Sequence, residues 1–236
     1  GLTNKLLAKR ANTICVAYPE MEQFFPLEKI HLTGNPVRKD ILDLKDKKDK
    51  ALEHFGLSTE RPVILILGGS LGARTLNQAM LQDIAILEKD GYQVLWQSGK
   101  FYFKEMSEKL AESGLKHIHL REFIREMDLA YAAADLIVSR AGALSVSELS
   151  LVGKPVIFIP SPNVAEDHQT KNAMAFVNRQ AAVLLKDSEA VGRLREMVND
   201  LMKDESRSTQ LGQNMRALAK PEATESIINE LEKLVR

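Results

Sequence analysis

The sequence predicts an α/β fold, a parallel sheet with helices on both faces and a helical C-terminal tail. Three observations predict it. Val63–Leu67 (VILIL) is an unbroken run of branched aliphatic residues, as a strand buried on both faces requires. Runs of the same kind recur at Gln93–Gln97, 117–120, Leu136–Ser139, 156–159 and 182–185, and helical patterns fill the intervals at 75–87, Phe103–Ala111, 124–133, 143–151 and 167–178. That alternation is the signature of βα units, whose crossovers are right-handed. Beyond residue 190 only helical patterns remain, at 190–201, 207–219 and 222–235, with Pro221 suited to the first turn of the last.

The chain opens differently. A helix over 4–11, a strand over 13–17 and a further strand or turn up to Leu32 are too few elements to enclose a core. They read as the end of a preceding α/β domain. Gly34-Asn35-Pro36 is strong turn punctuation, so the chain divides into residues 1–34, a remnant of one domain, and 35–236, a second domain that includes the C-terminal helices. The charged stretch 42–50 (LDLKDKKDK) reads as a link or an exposed helix start. The first residue is Gly rather than Met, which is expected of a fragment.

Composition narrows the function. The chain has 236 residues, with 32 Lys+Arg balancing 32 Asp+Glu, so nucleic-acid binding has no compositional support. No apolar run reaches the roughly 18–20 residues of a membrane span, and the N-terminus lacks the apolar core of a secretory signal. The single cysteine, Cys15, lies between Ile14 and Val16. It reads as a small buried hydrophobe in a protein of a reducing compartment. His117 and His119 alternate on one strand with no carboxylate pair beside them and read as structural residues.

Chemistry concentrates where strands give way to helices. Gly68-Gly69-Ser70-Leu71-Gly72-Ala73 follows the VILIL run and precedes a helix. Glycines let backbone approach an anion, the helix start offers free N–H groups, and Ser70 adds a hydroxyl. The segment reads as a phosphate or diphosphate cradle, or as a tight βα turn. No Lys-Ser/Thr follows, so it is not a P-loop. It is not a dinucleotide fingerprint either, and no acidic residue ends the next strand, which disfavours a dehydrogenase. In the second cluster, 139–148, Gly142 turns the chain into a helix that carries Glu148. A carboxylate there can accept hydrogen bonds from two vicinal hydroxyls, as on a ribose, or simply complement the helix dipole, with Ser145 as a cap partner. A third cluster, Pro160-Ser161-Pro162-Asn163 and then 166–173, opens a helix with Asp167 as N-cap and polar residues suited to sugar hydroxyls or to capping. Finally, Phe123-Ile124 follows a strand, where backbone could meet a planar base or the side chains could join the core. Taken together, the clusters suggest a nucleotide-diphosphate ligand across the carboxyl ends of the strands.

The segments GNPVR (34–38), LGGSLGARTLN (67–77), WQSGK (96–100), FIREMDLAYAAADLIVSRAGALSVSE (123–148) and EDHQTKNA (166–173) occur in that order. Together they resemble the MurG family, the bacterial UDP-N-acetylglucosamine transferases that complete lipid II in peptidoglycan synthesis. GLTNK at the start is similar to part of that family's N-terminal domain. The resemblance implies a GT-B fold, two Rossmann-like domains facing a cleft. This chain would be the C-terminal donor-binding domain with the end of the N-terminal one.

The implied reaction transfers N-acetylglucosamine from UDP-N-acetylglucosamine, with inversion, to lipid I (undecaprenyl-diphospho-N-acetylmuramoyl-pentapeptide), without a metal or other cofactor. It implies a cytoplasmic protein, peripheral on the inner face of the cell membrane. Gly69, Ser70 and Gly72 would hold the diphosphate with Arg38 as charge partner. Ile124 would present its backbone to uracil and Glu148 would bind the ribose. Leu144 and Ser145 would lie near the phosphates and sugar, and Gln169, with His168 beside it, would bind the N-acetylglucosamine hydroxyls. Nothing in the first 32 residues matches the family's other Gly-rich loop or its acceptor site, and the catalytic base is unassigned. The expectation is a donor-binding fragment inactive alone. Another GT-B transferase, a UDP-sugar epimerase and a non-catalytic nucleotide-sugar module are the alternatives.

Overall fold

The structure is a computed structural model that describes residues 2–19 and 21–235; Gly1, the first residue of GLTNK, Glu20, and Arg236, the last residue of the expected second domain, lie outside the described residues. The elements run in the order α1 (Leu2–Ala8), β1 (Ile14–Val16), β2 (Ile30–Leu32), α2 (Lys48–Phe55), β3 (Val63–Leu67), α3 (Arg74–Lys89), β4 (Gln93–Gln97), α4 (Phe103–Ala111), β5 (Ile118–Arg121), α5 (Met127–Ala133), β6 (Leu136–Ser139), α6 (Ala143–Val152), β7 (Val156–Phe158), α7 (His168–Val177), β8 (Val183–Leu184), α8 (Asp187–Lys203), α9 (Glu205–Ala217) and α10 (Ala223–Val235).

Strands β3 to β8 form one parallel sheet in the order β5-β4-β3-β6-β7-β8. Its strands alternate sides residue by residue, as a pleated strand must. Val63, Leu65, Leu67, Leu95, Ile137, Val156 and Phe158 join one core with residues of α2, α5, α6 and α7. Ile64, Ile66, Val94, Trp96, Leu136, Val138 and Ile157 join the other, with α3 and α8. Both faces are covered, which is why the strands read as continuous apolar runs.

The structure adjusts several expected boundaries. The strand expected at 117–120 is Ile118–Arg121, and the helix expected from 124 begins at Met127; the Ile124 N–H before it donates to Gln97 Oε1 at the end of β4. Residues 14–16 pair in parallel with 30–32 as a separate two-stranded ladder. Asp167, expected as an N-cap, has φ 49 and makes no capping bond to the backbone; its carboxylate accepts from the Thr170 hydroxyl instead.

The stretch 42–50 hides a core contribution. Helix α2 begins at Lys48 and ends at Gly56, whose φ of 71 supplies the left-handed C-cap. Ala51, Leu52 and Phe55 are buried on one side of it, at the spacing of a helical stripe. We expect Leu52→Ala to destabilise the fold by about 2–5 kcal/mol and Lys50→Ala to leave it nearly unchanged, read by denaturant unfolding. Equal small effects would mean that α2 is a surface linker.

Candidate functional site

From β3 the chain moves outward through β4 and β5, then returns so that β6 lies on the other side of β3. The crevice beyond the carboxyl ends of β3 and β6 is therefore where the strand order reverses, the place where open α/β sheets take ligands. The loop after β3 contains Gly69, Ser70 and Gly72; the loop after β6 leads into Leu144, Ser145 and Glu148.

Backbone geometry forces the glycines of the first loop. Gly69 and Gly72 have φ of 83 and 95, and the Gly72 N–H closes a turn onto the Gly69 carbonyl at 3.2 Å. A Cβ on Gly72 would lie 2.4 Å from the Ser98 carbonyl oxygen. The loop after β4 buttresses it: the N–H groups of Lys100 and Phe101 donate to the carbonyls of Ser70 and Leu71 at 3.0 and 3.3 Å. Ser70 is left exposed. Ala73 then starts α3 with no side-chain cap, and Gly142 starts α6 likewise. Two uncapped helix N-termini thus border the crevice, each with free N–H groups and a positive dipole end.

Glu148 lies in the second turn of α6. Its Oε2 accepts from the Tyr131 hydroxyl at 3.0 Å, and its Oε1 lies 3.6 Å from Arg38 Nε. Burial, and then the negative charge of Glu148, push the Tyr131 hydroxyl well above its ordinary pKa, so it remains a donor that orients the carboxylate. The Arg38 guanidinium meets Glu148 and, at 3.5 Å, the Arg125 carbonyl.

Ile124 is buried, and its N–H donates to Gln97 Oε1 at 2.8 Å. Gln169 Oε1 accepts from the Ser161 N–H at 2.9 Å, which ties α7 to the loop after β7. His168 is exposed, with Nδ1 2.7 Å from the Ala165 carbonyl oxygen. His168 and Gln169 lie after β7, next to β6 in the sheet. The structure thus brings the Gly-rich loop, the start of α6 and the start of α7 to one edge of the sheet, with Arg38 and Ile124 at that edge through Glu148 and Gln97. Among the described residues no group of three His, Cys, Asp or Glu could hold a metal ion, and no helix is long and apolar enough to cross a membrane.

Several supporting residues were not read from the sequence. Arg140 reaches the Ile159 carbonyl at 2.9 Å and pairs with Asp187, whose other oxygen accepts from Thr75 Oγ1 at 2.8 Å. This pair joins the end of β6 to the starts of α3 and α8. Asn172 donates to the Ala141 carbonyl at 3.0 Å, fixing α7 to the turn before α6. Asn77 accepts from Trp96 Nε1 and donates to the Ser98 carbonyl under the Gly-rich loop. Tyr131, Arg140 and Asn172 all sit within the recognised segments 123–148 and 166–173, but only their partners on other elements show what they hold.

The sequence matches the glycosyltransferase family 28 C-terminal domain over residues 63–231. It is 51% identical over 235 residues to a UDP-N-acetylglucosamine–N-acetylmuramyl-(pentapeptide) pyrophosphoryl-undecaprenol N-acetylglucosamine transferase of Flavobacterium psychrophilum, with 100% of this chain and 63% of that protein covered. It is 48% identical to the protein of the same name from Parabacteroides distasonis, over 100% of this chain and 64% of that one. The fold is similar to the crystal structure of Acinetobacter baumannii MurG, with a TM-score of 0.76 and 29% identity over 99% of this chain and 63% of that chain. The chain thus spans under two thirds of the length of these relatives.

Gly99 offers a test of the buttress. Its φ is 83 and a Cβ there would lie 2.1 Å from the Gly72 nitrogen, whereas Gly91, with φ 99, has nothing within 4 Å. Gly91→Ala is expected to lose about 1 kcal/mol from backbone strain alone, and Gly99→Ala at least about 2 kcal/mol more. Thermal unfolding compares them; equal losses would mean that the two loops are not interlocked.

Proposed function

The chain belongs to glycosyltransferase family 28, by its match over residues 63–231, and on that premise we propose that it is the donor-binding part of an inverting N-acetylglucosaminyltransferase. Residues 35–236 form the domain that takes UDP-N-acetylglucosamine, and 1–34 are the end of the domain that takes the acceptor. The single observation that carries this reading is the pair of uncapped helix starts, α3 and α6, on either side of the reversal of strand order between β3 and β6. A diphosphate suits that crevice because its charge meets free N–H groups and two positive dipole ends without a metal ion.

In this reading Gly69, Ser70 and Gly72 hold the diphosphate. Leu144 and Ser145 border the phosphates and sugar, and Glu148 accepts from the ribose hydroxyls. Gln169 meets the N-acetylglucosamine hydroxyls with His168 at the rim. Ile124 offers its backbone to uracil. Arg38, drawn to Glu148 in the free protein, is within the same cluster of charges and turns to the diphosphate when that charge arrives. The acceptor is lipid I, bound mainly by the part of the relatives that this chain does not span, at the cytoplasmic face of the membrane. Its sugar hydroxyl attacks the anomeric carbon from the face opposite the diphosphate. The new C–O bond forms as the old one breaks, the hydroxyl proton leaves to a base outside this chain, and UDP departs with the bonding electrons. The loop and the helix starts stabilise the charge that grows on the leaving oxygen.

Calorimetric titration of the chain with UDP, UDP-N-acetylglucosamine and NAD, without metal, tests the reading. Both uridine ligands are expected to bind and NAD not to. Glu148→Gln keeps an oxygen for Tyr131 yet removes the charge, and it is expected to weaken UDP binding by about 1–3 kcal/mol. Binding of NAD, or a folded chain that binds no uridine ligand, contradicts the reading; unchanged affinity in Glu148→Gln takes Glu148 out of the site.

A further inference from the structure

A cavity of about 220 Å³ lies at the joint between residues 1–34 and the rest of the chain, against α6, α7 and the turn after α9. The joint is fastened on both sides of it. Gly34, with φ 88, packs so closely on the stem of Lys220 that a Cβ there would lie 2.6 Å from Lys220 Cβ. Asn35 Nδ2 donates to Ser147 Oγ at 3.1 Å, and the Tyr18 hydroxyl donates to the Ala143 carbonyl at 3.3 Å, both on α6. The hydroxyls of Ser147 and Ser150, which line the cavity, are turned to the backbone of their own helix. Buried Phe176 and half-buried Leu218 supply apolar wall.

The only charged residues in the lining are Arg179 and Lys220, and no Asp or Glu joins them. Among the described residues neither cation has a carboxylate partner, and the Lys220 ammonium makes no hydrogen bond. Arg179 donates to the Ala175 carbonyl at 2.8 Å, which leaves the rest of its fork to a ligand. An apolar wall beside two unpaired cations is complementary to an amphiphilic anion, and a guanidinium suits a phosphate. None of the residues placed in the donor site lines this cavity. Helix α7, ten residues long, puts about 15 Å between His168 at its start and the end near Arg179.

We propose that this cavity is a second binding site, for a phosphate monoester on an apolar body about the size of a benzene ring. An apolar cavity of roughly 150 Å³ takes benzene, so this one holds a ring and the atoms that link it to a charged group. The ring packs on Phe176 and Leu218, and the phosphate meets Arg179 and Lys220 at the mouth. Because the joint also grips α6, an occupant braces the two parts of the chain against the helix that carries Glu148.

The test is calorimetry of the chain at about pH 7.5, where a phosphate monoester carries nearly two negative charges. Phenyl phosphate is expected to bind. Benzyl alcohol lacks the charge and inorganic phosphate lacks the ring, so each is expected to bind at least about tenfold more weakly. Arg179→Gln and Lys220→Gln change exposed residues, and each is expected to weaken phenyl phosphate about tenfold without changing benzyl alcohol. Ala217→Phe, at the exposed rim, fills the cavity and is expected to abolish binding.

Unchanged phenyl phosphate affinity in the folded charge variants puts the ligand elsewhere, the Gly-rich loop included, and overturns the proposal. So does benzyl alcohol or inorganic phosphate binding as tightly as phenyl phosphate, or a folded wild type that binds no phenyl phosphate. Displacement of phenyl phosphate by UDP overturns it too, since it would place the ligand in the crevice. A chain that binds phenyl phosphate at this cavity but no UDP contradicts the donor-site reading alone.

Discussion

All six strands of the main sheet run in one direction, so every strand ends on the same edge and every following loop opens there. That constraint is covalent and topological before it is chemical: parallel neighbours need a crossover between them, and right-handed crossovers lay α3 and α4 on one face and, after the chain reverses direction, α5, α6 and α7 on the other. Once β6 pairs on the far side of β3, the turns after the two strands separate, and a crevice opens between two helix starts. Everything assigned to the site follows from that geometry. The glycines permit close approach, and the helices supply N–H groups and field.

Polar ties around the crevice supplement the apolar packing of the elements they join. Arg140 and Asp187 join the end of β6 to the start of α8, and Thr75 extends the tie to α3. Asn172 fastens α7 beneath the turn before α6. Trp96 and Asn77 anchor the segment on which the Gly-rich loop rests. Asn77 and Trp96 are buried and the other partners half-buried, and an unpaired polar group is costly where water is excluded, so each tie also defines one arrangement of the loops. Preorganisation of this kind lets the field of the two helix starts act without waiting for the protein to rearrange.

Much of this was legible in the sequence because the strands are buried on both faces. VILIL needs no partner to be read as a strand, and β3, β4 and β6 fall on the residues expected. Of the two readings of 42–50, the helix start holds: α2 begins at Lys48, and its buried residues Ala51, Leu52 and Phe55 follow only after the charged run. The site was legible as glycines and helix starts, which are local. What stayed hidden is non-local: the pairing of Arg38 with Glu148 across 110 residues of chain, the Tyr131 hydroxyl behind that carboxylate, and the Gln97 side chain that accepts from the Ile124 N–H. No periodicity records which side chain reaches which backbone group on another strand. The segment before α7 was also opaque, since Glu166 and Asp167 adopt left-handed backbone with no glycine to announce it.

The interlock of Gly72 with Gly99 has a consequence for redesign. The two positions exclude any side chain between them, and Tyr102 closes the flank, so this wall cannot recede to admit a bulkier ligand and cannot be reshaped one residue at a time. Room to alter what the crevice accepts lies on the opposite bank, at Leu144 and along 163–168, where side chains are largely exposed and make few cross-strand ties. A library that varies that bank leaves the glycine wall untouched. The fold thus separates a wall fixed by backbone contact from a bank whose side chains are free to change.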